Sequence, residues 1–144
     1  MLRILFFRRR RYGGRRRRGG ADATWTWTEL PAMSVGRYGC CGCVMSDGRF
    51  AVLGGEGVGG SLSSCEALVT GDTAQWVSLP PMNDSREFFA CAAVAGCVIV
   101  AGGRGCTSTS TSAEVYDESR NRWLRLPHNL PYESELFMMC SALL

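Results

Sequence analysis

Three tryptophans set the scale of this chain. Trp27, Trp76 and Trp123 lie 49 and 47 residues apart, and each is followed by a Leu-Pro pair, at Leu30–Pro31, Leu79–Pro80 and Leu126–Pro127. Other landmarks share the offset. "FAVLGG" (50–55) returns as "VIVAGG" (98–103), "SSCEALV" (63–69) as "TSAEVYD" (111–117), and Arg37 as Arg86. A period of this length marks a solenoid, a propeller or an array, in which each unit buries its apolar face on the next.

One period contains the punctuation of four short strands. The apolar runs "YGCCGCVM" and "FFACAAV" are each followed by a turn, "SDG" (46–48) or "AG" (95–96), and then by "RFAVLGG" or "CVIVAGG". That is the pattern of a β-hairpin. After a Gly- or Ser-rich loop comes a third strand around Glu66–Val69 or Glu114–Tyr116. A polar turn leads to a fourth strand starting at Trp76 or Trp123, and Pro80 or Pro127 ends the unit. Four antiparallel strands per repeat make one propeller blade, so the expected class is all-β. The Gly-Gly pairs are expected where the chain bends or a neighbour comes close. The tryptophans are expected between adjacent sheets, with an indole N–H in need of an acceptor.

These residues resemble the kelch repeat: an Arg, an apolar strand, Gly-Gly, Tyr-Asp, Trp and Leu-Pro. Arg86, Gly102, Gly103, Tyr116, Asp117, Trp123 and Leu126–Pro127 fill the pattern in the second copy. Arg37, Gly54, Gly55, Trp76 and Leu79–Pro80 fill it in the first. Leu68–Val69 stands where Tyr-Asp is expected, so a less regular third strand is expected there. Within kelch proteins the chain looks most like plant F-box/kelch-repeat proteins, over roughly residues 25–144. The resemblance implies a non-catalytic protein-interaction module, the substrate-recognition region of an F-box adaptor of an SCF-type ubiquitin ligase. The alternatives are a kelch-type propeller enzyme and nucleic-acid binding through an Arg-rich tail.

Two repeats, about 34–82 and 83–130, fall short of the four to eight blades of a closed propeller. A strand at Trp27–Met33 precedes them, and residues 131–144 align with the start of a third repeat. The expectation is therefore a partial kelch domain over 21–144, a fragment of a longer protein or a truncated product.

All 16 basic residues are Arg, and nine lie in residues 1–20, leaving 7 against 13 acidic groups, a net of −6, in residues 21–144. Like-charge blocks of this kind are usually disordered, so residues 1–20 are expected to be a disordered tail. With no recognisable secretory segment, the eight cysteines are expected to be reduced thiols of a cytoplasmic or nuclear protein. "CCGC" (40–43) lacks a second ligand cluster at zinc spacing, and His128 is the one histidine. No catalytic residue, metal or cofactor is expected. "GGEGVGG" contains Gly55-x-Gly57-x-x-Gly60, but the next segment, "SLSSCEALV" (61–69), aligns with a strand, not with the helix that a dinucleotide site needs.

Strand parity puts the loops 56–63 and 104–111 on one rim with the connections 31–37 and 80–86. The resemblance places partner binding there. Arg37, Arg86 and Arg104 are the candidate charged contacts, able to clamp acidic or phosphorylated groups. Ser61, Ser63, Thr107 and Ser108 are candidate hydrogen-bonding contacts. A structural reading stands beside this one, in which Arg37 and Arg86 brace neighbouring blades.

Overall fold

The computed structural model describes residues 5–9, 25–71, 73–105 and 110–131. It divides into two units, 1–32 and 33–144. In the first, β1 (Leu5–Arg9) pairs antiparallel with β2 (Trp25–Glu29), Phe7 opposite Trp27. β1 falls within the tail expected over 1–20, the rest of which lies outside the described residues. The strand expected at Trp27–Met33 begins two residues earlier and ends at Glu29.

The second unit holds two four-stranded antiparallel sheets, each with its strands side by side in chain order. The first is β3 (Cys41–Val44), β4 (Phe50–Leu53), β7 (Cys65–Val69) and β8 (Gln75–Leu79), in that spatial order. The loop between β4 and β7 carries a small pair, β5 (Glu56–Gly57) and β6 (Gly60–Ser61). The second sheet is β9 (Ala90–Val94), β10 (Cys97–Ala101), β11 (Ala113–Asp117) and β12 (Arg122–Arg125). No helix occurs among the described residues. The described residues are thus all-β, with two successive four-stranded antiparallel sheets of propeller-blade topology.

The sheets form because their inward positions are apolar at period two and their ends carry turn residues. Met45, Ala51, Leu53, Cys65 and Ala67 from the first blade and Phe89, Cys91, Val98, Val100, Tyr116 and Trp123 from the second bury into one core, joined by Met82. Full burial of a side chain such as Leu53 stabilises by about 1.5–3 kcal/mol. The first strands, β3 and β9, pack against each other at the seam. Small residues allow this: the Cys41 thiol donates to Phe89 O at 2.7 Å, and Cys91 to Gly42 O at 3.5 Å.

The Gly-Gly pairs stand where β4 and β10 end and the chain turns under its neighbour. Gly54, Gly55, Gly102 and Gly103 all have left-handed φ, between 54° and 96°. A Cβ on Gly54 would lie 2.5 Å from Arg86 O, and one on Gly103 2.6 Å from Glu87 O. Only glycine meets both demands. Trp123 is buried beside Tyr116, ring centroids 5.2 Å apart, and its indole N–H donates to Pro80 O at 2.9 Å, tying the second blade to the end of the first. Trp76, its counterpart, is half-buried. Asp117 caps the β11–β12 turn, its Oδ1 accepting from the Ser119 N–H and hydroxyl at 3.0 and 2.6 Å.

The irregularity expected at Leu68–Val69 is not found. β7 pairs without interruption with β4 and with β8, Leu68 opposite Phe50 and Trp76. Leu68 is buried, so an aliphatic side chain fills the place that Tyr116 fills in the second blade. The Gly55–Gly60 segment forms the β5–β6 pair, which leaves no helix to hold a dinucleotide.

Candidate interaction rim

Arg37 and Arg86 follow the connections into β3 and β9, and both turn inward. They are 2% and 0% exposed. Arg37 Nη1 donates to Gly54 O and Ser64 O at 2.9 and 2.7 Å, and Nη2 to Glu66 Oε1 at 2.7 Å. Arg86 repeats the arrangement: Nη1 reaches Gly102 O and Ser112 O, both at 2.9 Å, and Nη2 reaches Glu114 Oε1 at 3.0 Å. The remaining carboxylate capacity is used as well. Ser34 N–H donates to Glu66 at 3.0 Å, and Asn83 N–H to Glu114 at 2.7 Å. Each guanidinium thus staples the end of the second strand, the third strand and the incoming connection, within one blade. The expectation that Arg37 and Arg86 contact a partner is corrected here: the backbone carbonyls freed by the Gly-Gly bend draw both groups into the interior.

Arg104 behaves differently. Its side chain is 64% exposed, with Nε 3.6 Å from Glu87 Oε1. Ser61 lies half-buried on β6, and Ser63 is half-buried with its carbonyl accepting from Met82 N–H. Thr107 and Ser108 lie outside the described residues.

The structure adds residues to this rim that were not singled out from the sequence. Just before the first strands, Tyr38 bridges Glu56 and Glu87 bridges Arg104, each as a single antiparallel pair. The two bridges are repeat equivalents, and they lie side by side. The Tyr38 hydroxyl donates to Glu56 Oε2. The Glu56 and Glu87 carboxyls act on each other electrostatically, and Arg104 acts on both. Phe88 sits edge-on to Tyr38, centroids 6.4 Å apart. Both rings are open to solvent, Tyr38 at 54% and Phe88 at 42%.

The electrostatics follow from this crowding. The Tyr38 phenol and then Glu87 hold Glu56 below the usual carboxylate range. Burial, then Glu56, pushes Glu87 above it. Tyr38 is pushed up by its hydrogen bond to Glu56.

The opposite edge, made by the β3–β4, β9–β10 and β11–β12 turns, holds an open cleft of about 540 Å³ lined in part by Asp47, Arg49, Cys97, Asp117 and Glu118. Its acidic groups have partners within the chain. Arg49 pairs with Asp47 at 2.6 Å, Arg120 with Asp117 at 3.2 Å, and Glu118 accepts from the Ser46 hydroxyl at 2.6 Å. Cys41, Cys43 and Cys91 meet at the seam between the blades. The Cys91 thiol beside Cys43 lowers the Cys43 pKa against the opposing effect of burial. Cys91 is pushed up to about 12, because its contact with Cys43 and its burial outweigh the lowering effect of Cys41. No group of three or more His, Cys, Asp or Glu suited to a metal ion occurs among the described residues. No helix of the described residues is long and apolar enough to cross a membrane.

Comparison with known proteins matches the second blade most directly. Residues 85–129 match the model of the Kelch motif. A stretch of 55 residues is 47% identical to F-box/kelch-repeat protein At1g16250 of Arabidopsis thaliana, covering 37% of this chain and 14% of that protein. The chain therefore spans a small part of the relative's length. The first blade carries the same Arg–Glu staple and Gly-Gly bend at a 48–49-residue offset. Residues 85–129 thus carry a Kelch motif, and the preceding blade repeats its strand order, staple and bend.

Proposed function

We propose that the chain is a protein-recognition module whose partner lies on the rim formed by the β4–β7 and β10–β11 loops and the connections into β3 and β9. The observation that carries this is the contrast between the two edges. On the opposite edge Asp47 and Asp117 have ion-pair partners and Glu118 has Ser46 as a hydrogen-bond donor. On the rim, Tyr38, Phe88 and Arg104 are open to solvent beside buried Glu87 and half-buried Glu56. Exposed aromatics and an Arg next to desolvated polar groups are the composition of interface hot spots. Arg104 and Ser61 remain partner contacts in this reading, with Thr107 and Ser108 on the same loop as Arg104. Similarity to an F-box/kelch-repeat protein supports the finer reading, in which the captured partner is a ubiquitination substrate of an SCF-type ligase in the cytoplasm or nucleus.

A photo-crosslinking residue placed at Arg104 or Val58, and for comparison at Val94 or Arg120, tests the rim in cells. The expected result is a defined partner crosslinked from the first two positions alone. Fusing the chain to an F-box is then expected to promote ubiquitination of that partner. Crosslinking that is equal from both edges, or absent from the rim, overturns the proposal.

A further inference from the structure

The rim holds one group whose chemistry is incomplete. Glu87 is 3% exposed, yet its Oε2 finds no hydrogen-bond donor among the described residues. Its other oxygen meets Arg104 Nε only at 3.6 Å, too long for a hydrogen bond. Glu56 cannot donate as a carboxylate, and its own Oε2 is occupied by the Tyr38 hydroxyl. Desolvating a carboxylate oxygen without a donor is costly, so this position calls for a proton or a cation. Arg104 supplies one positive charge against the two carboxylates. One negative charge is left when both are ionised.

The Tyr38 ring lies beside Glu56, and the Phe88 ring packs edge-on against Tyr38. Phe88 is fixed there by its N–H, which donates to Gly39 O at 2.7 Å, and by a left-handed φ of 50°. A non-glycine residue in that conformation is strained, and strain of this kind is found where the surroundings over-determine a side chain. Paired carboxylates beside two exposed aromatic faces match a cationic side chain. The ammonium or guanidinium gains charge-assisted hydrogen bonds at its tip, and its stem or charge lies against the rings.

We infer that Tyr38, Glu56, Glu87 and Phe88 form a site for a lysine or arginine side chain of the protein partner, with half-buried Glu56 as the acceptor and the uncompensated Glu87 carboxyl beneath it. The inference rests on the rim being the partner-binding edge. Where the raised Glu87 carboxyl holds a proton, the incoming cation takes its place and binding releases that proton. The charged and titratable groups facing the pair are Tyr38 and Arg104.

The test is a two-dimensional amide NMR titration of the full chain with the capped peptide Gly-Lys-Gly, its Arg and norleucine analogues, and spermidine. The Lys and Arg peptides are expected to shift the amides of Tyr38, Glu56 and Glu87, and the norleucine peptide is not. Glu87→Gln is expected to weaken the Lys peptide roughly tenfold or more, as the loss of a charge-assisted hydrogen bond predicts. Half-buried Glu56→Gln gives the same direction without a demand on the core. Equal shifts from Lys and norleucine peptides, or unchanged affinity in both variants, would refute the pocket. Spermidine binding as tightly as the Lys peptide reassigns it to free polycations and overturns the protein-partner reading. If the pocket fails while rim crosslinking persists, the rim is retained and the cation is lost. If crosslinking also fails, both readings fall.

Discussion

Gly39 and Phe88 are repeat equivalents, and both adopt left-handed φ, 60° and 50°. The two also touch: a Cβ built on Gly39 would meet the Phe88 ring at 3.0–3.2 Å, and Phe88 N–H donates to Gly39 O. The second blade thus places a phenylalanine in a conformation that the first assigns to glycine. Phe88→Gly exchanges backbone strain for a lost, half-exposed ring contact, so its unfolding free energy is expected within about 1 kcal/mol of the parent. Gly103→Ala has no such exchange, since its Cβ would press on Glu87 O and Phe89 Cβ, both at 2.6 Å. A loss of about 2 kcal/mol or more is expected in urea melts. Equal effects from the two would contradict the close approach at Gly103.

Arg86→Ala leaves Glu114 buried without its charge partner and exposes the Gly102 and Ser112 carbonyls to a dry interior. A loss of about 3–5 kcal/mol is expected, enough to unfold a marginal domain. Arg86→Lys should recover only part of it, because one ammonium cannot span two carbonyls and a carboxylate. Arg104→Ala, at an exposed pair, is expected to change stability by less than about 1 kcal/mol. Thermal melts of the three variants check the ranking.

Acid should loosen the first blade through Glu66. Burial alone would raise its pKa, but Ser34 and then Arg37 outweigh burial and hold the carboxyl below its ordinary 4.5. With the folded value below the unfolded one, the stabilisation is complete above about pH 4.5 and is lost as pH falls through the lower folded value. Glu66→Gln is expected to be less stable at pH 7 and to show a shallower decline into acid. A variant whose acid limb matches the parent's would remove Glu66 from the account.

Thiol alkylation should be ordered. Cys43, lowered by its contact with Cys91, carries the larger thiolate fraction near neutral pH. Cys65, pushed up to about 11 by burial, and Cys91, pushed up to about 12, lag behind it. Iodoacetamide labelling with subsequent peptide mapping is expected to mark Cys43 before either of them. Cys91→Ala removes the hydrogen-bond partner and is expected to slow Cys43. Labelling that begins at Cys65 would contradict this order.

The strands were legible because their boundaries are set by local chemistry: Gly-Gly bends, Leu-Pro stops and apolar runs that recur at one spacing. The fate of Arg37 and Arg86 was not decided by residue type, since a guanidinium serves a rim and an interior equally well. A signal was nonetheless present. Glu66 and Glu114 come 29 and 28 residues after their arginines, so acid and base repeat together, as an internal pair would. Regularity at Leu68–Val69 was hidden because a buried aliphatic residue can replace a tyrosine without altering the ladder. The Tyr38–Glu56–Glu87 cluster had no repeat signature at all. Tyr38 matches Glu87 and Glu56 matches Arg104, and the four converge only when the blades dock.

Beside the shared core, main-chain groups also fasten the blades. Gly55 N–H donates to Arg86 O, Arg86 N–H to Leu62 O, and Met82 N–H to Ser63 O, at 2.7–3.0 Å. Bonds of this kind are indifferent to side-chain identity wherever glycine is not required. Successive copies can therefore drift apart in outward-facing chemistry while staying docked in register. That freedom is what lets a duplicated unit set a tyrosine and a glutamate, or a glutamate and an arginine, at matching places along one edge.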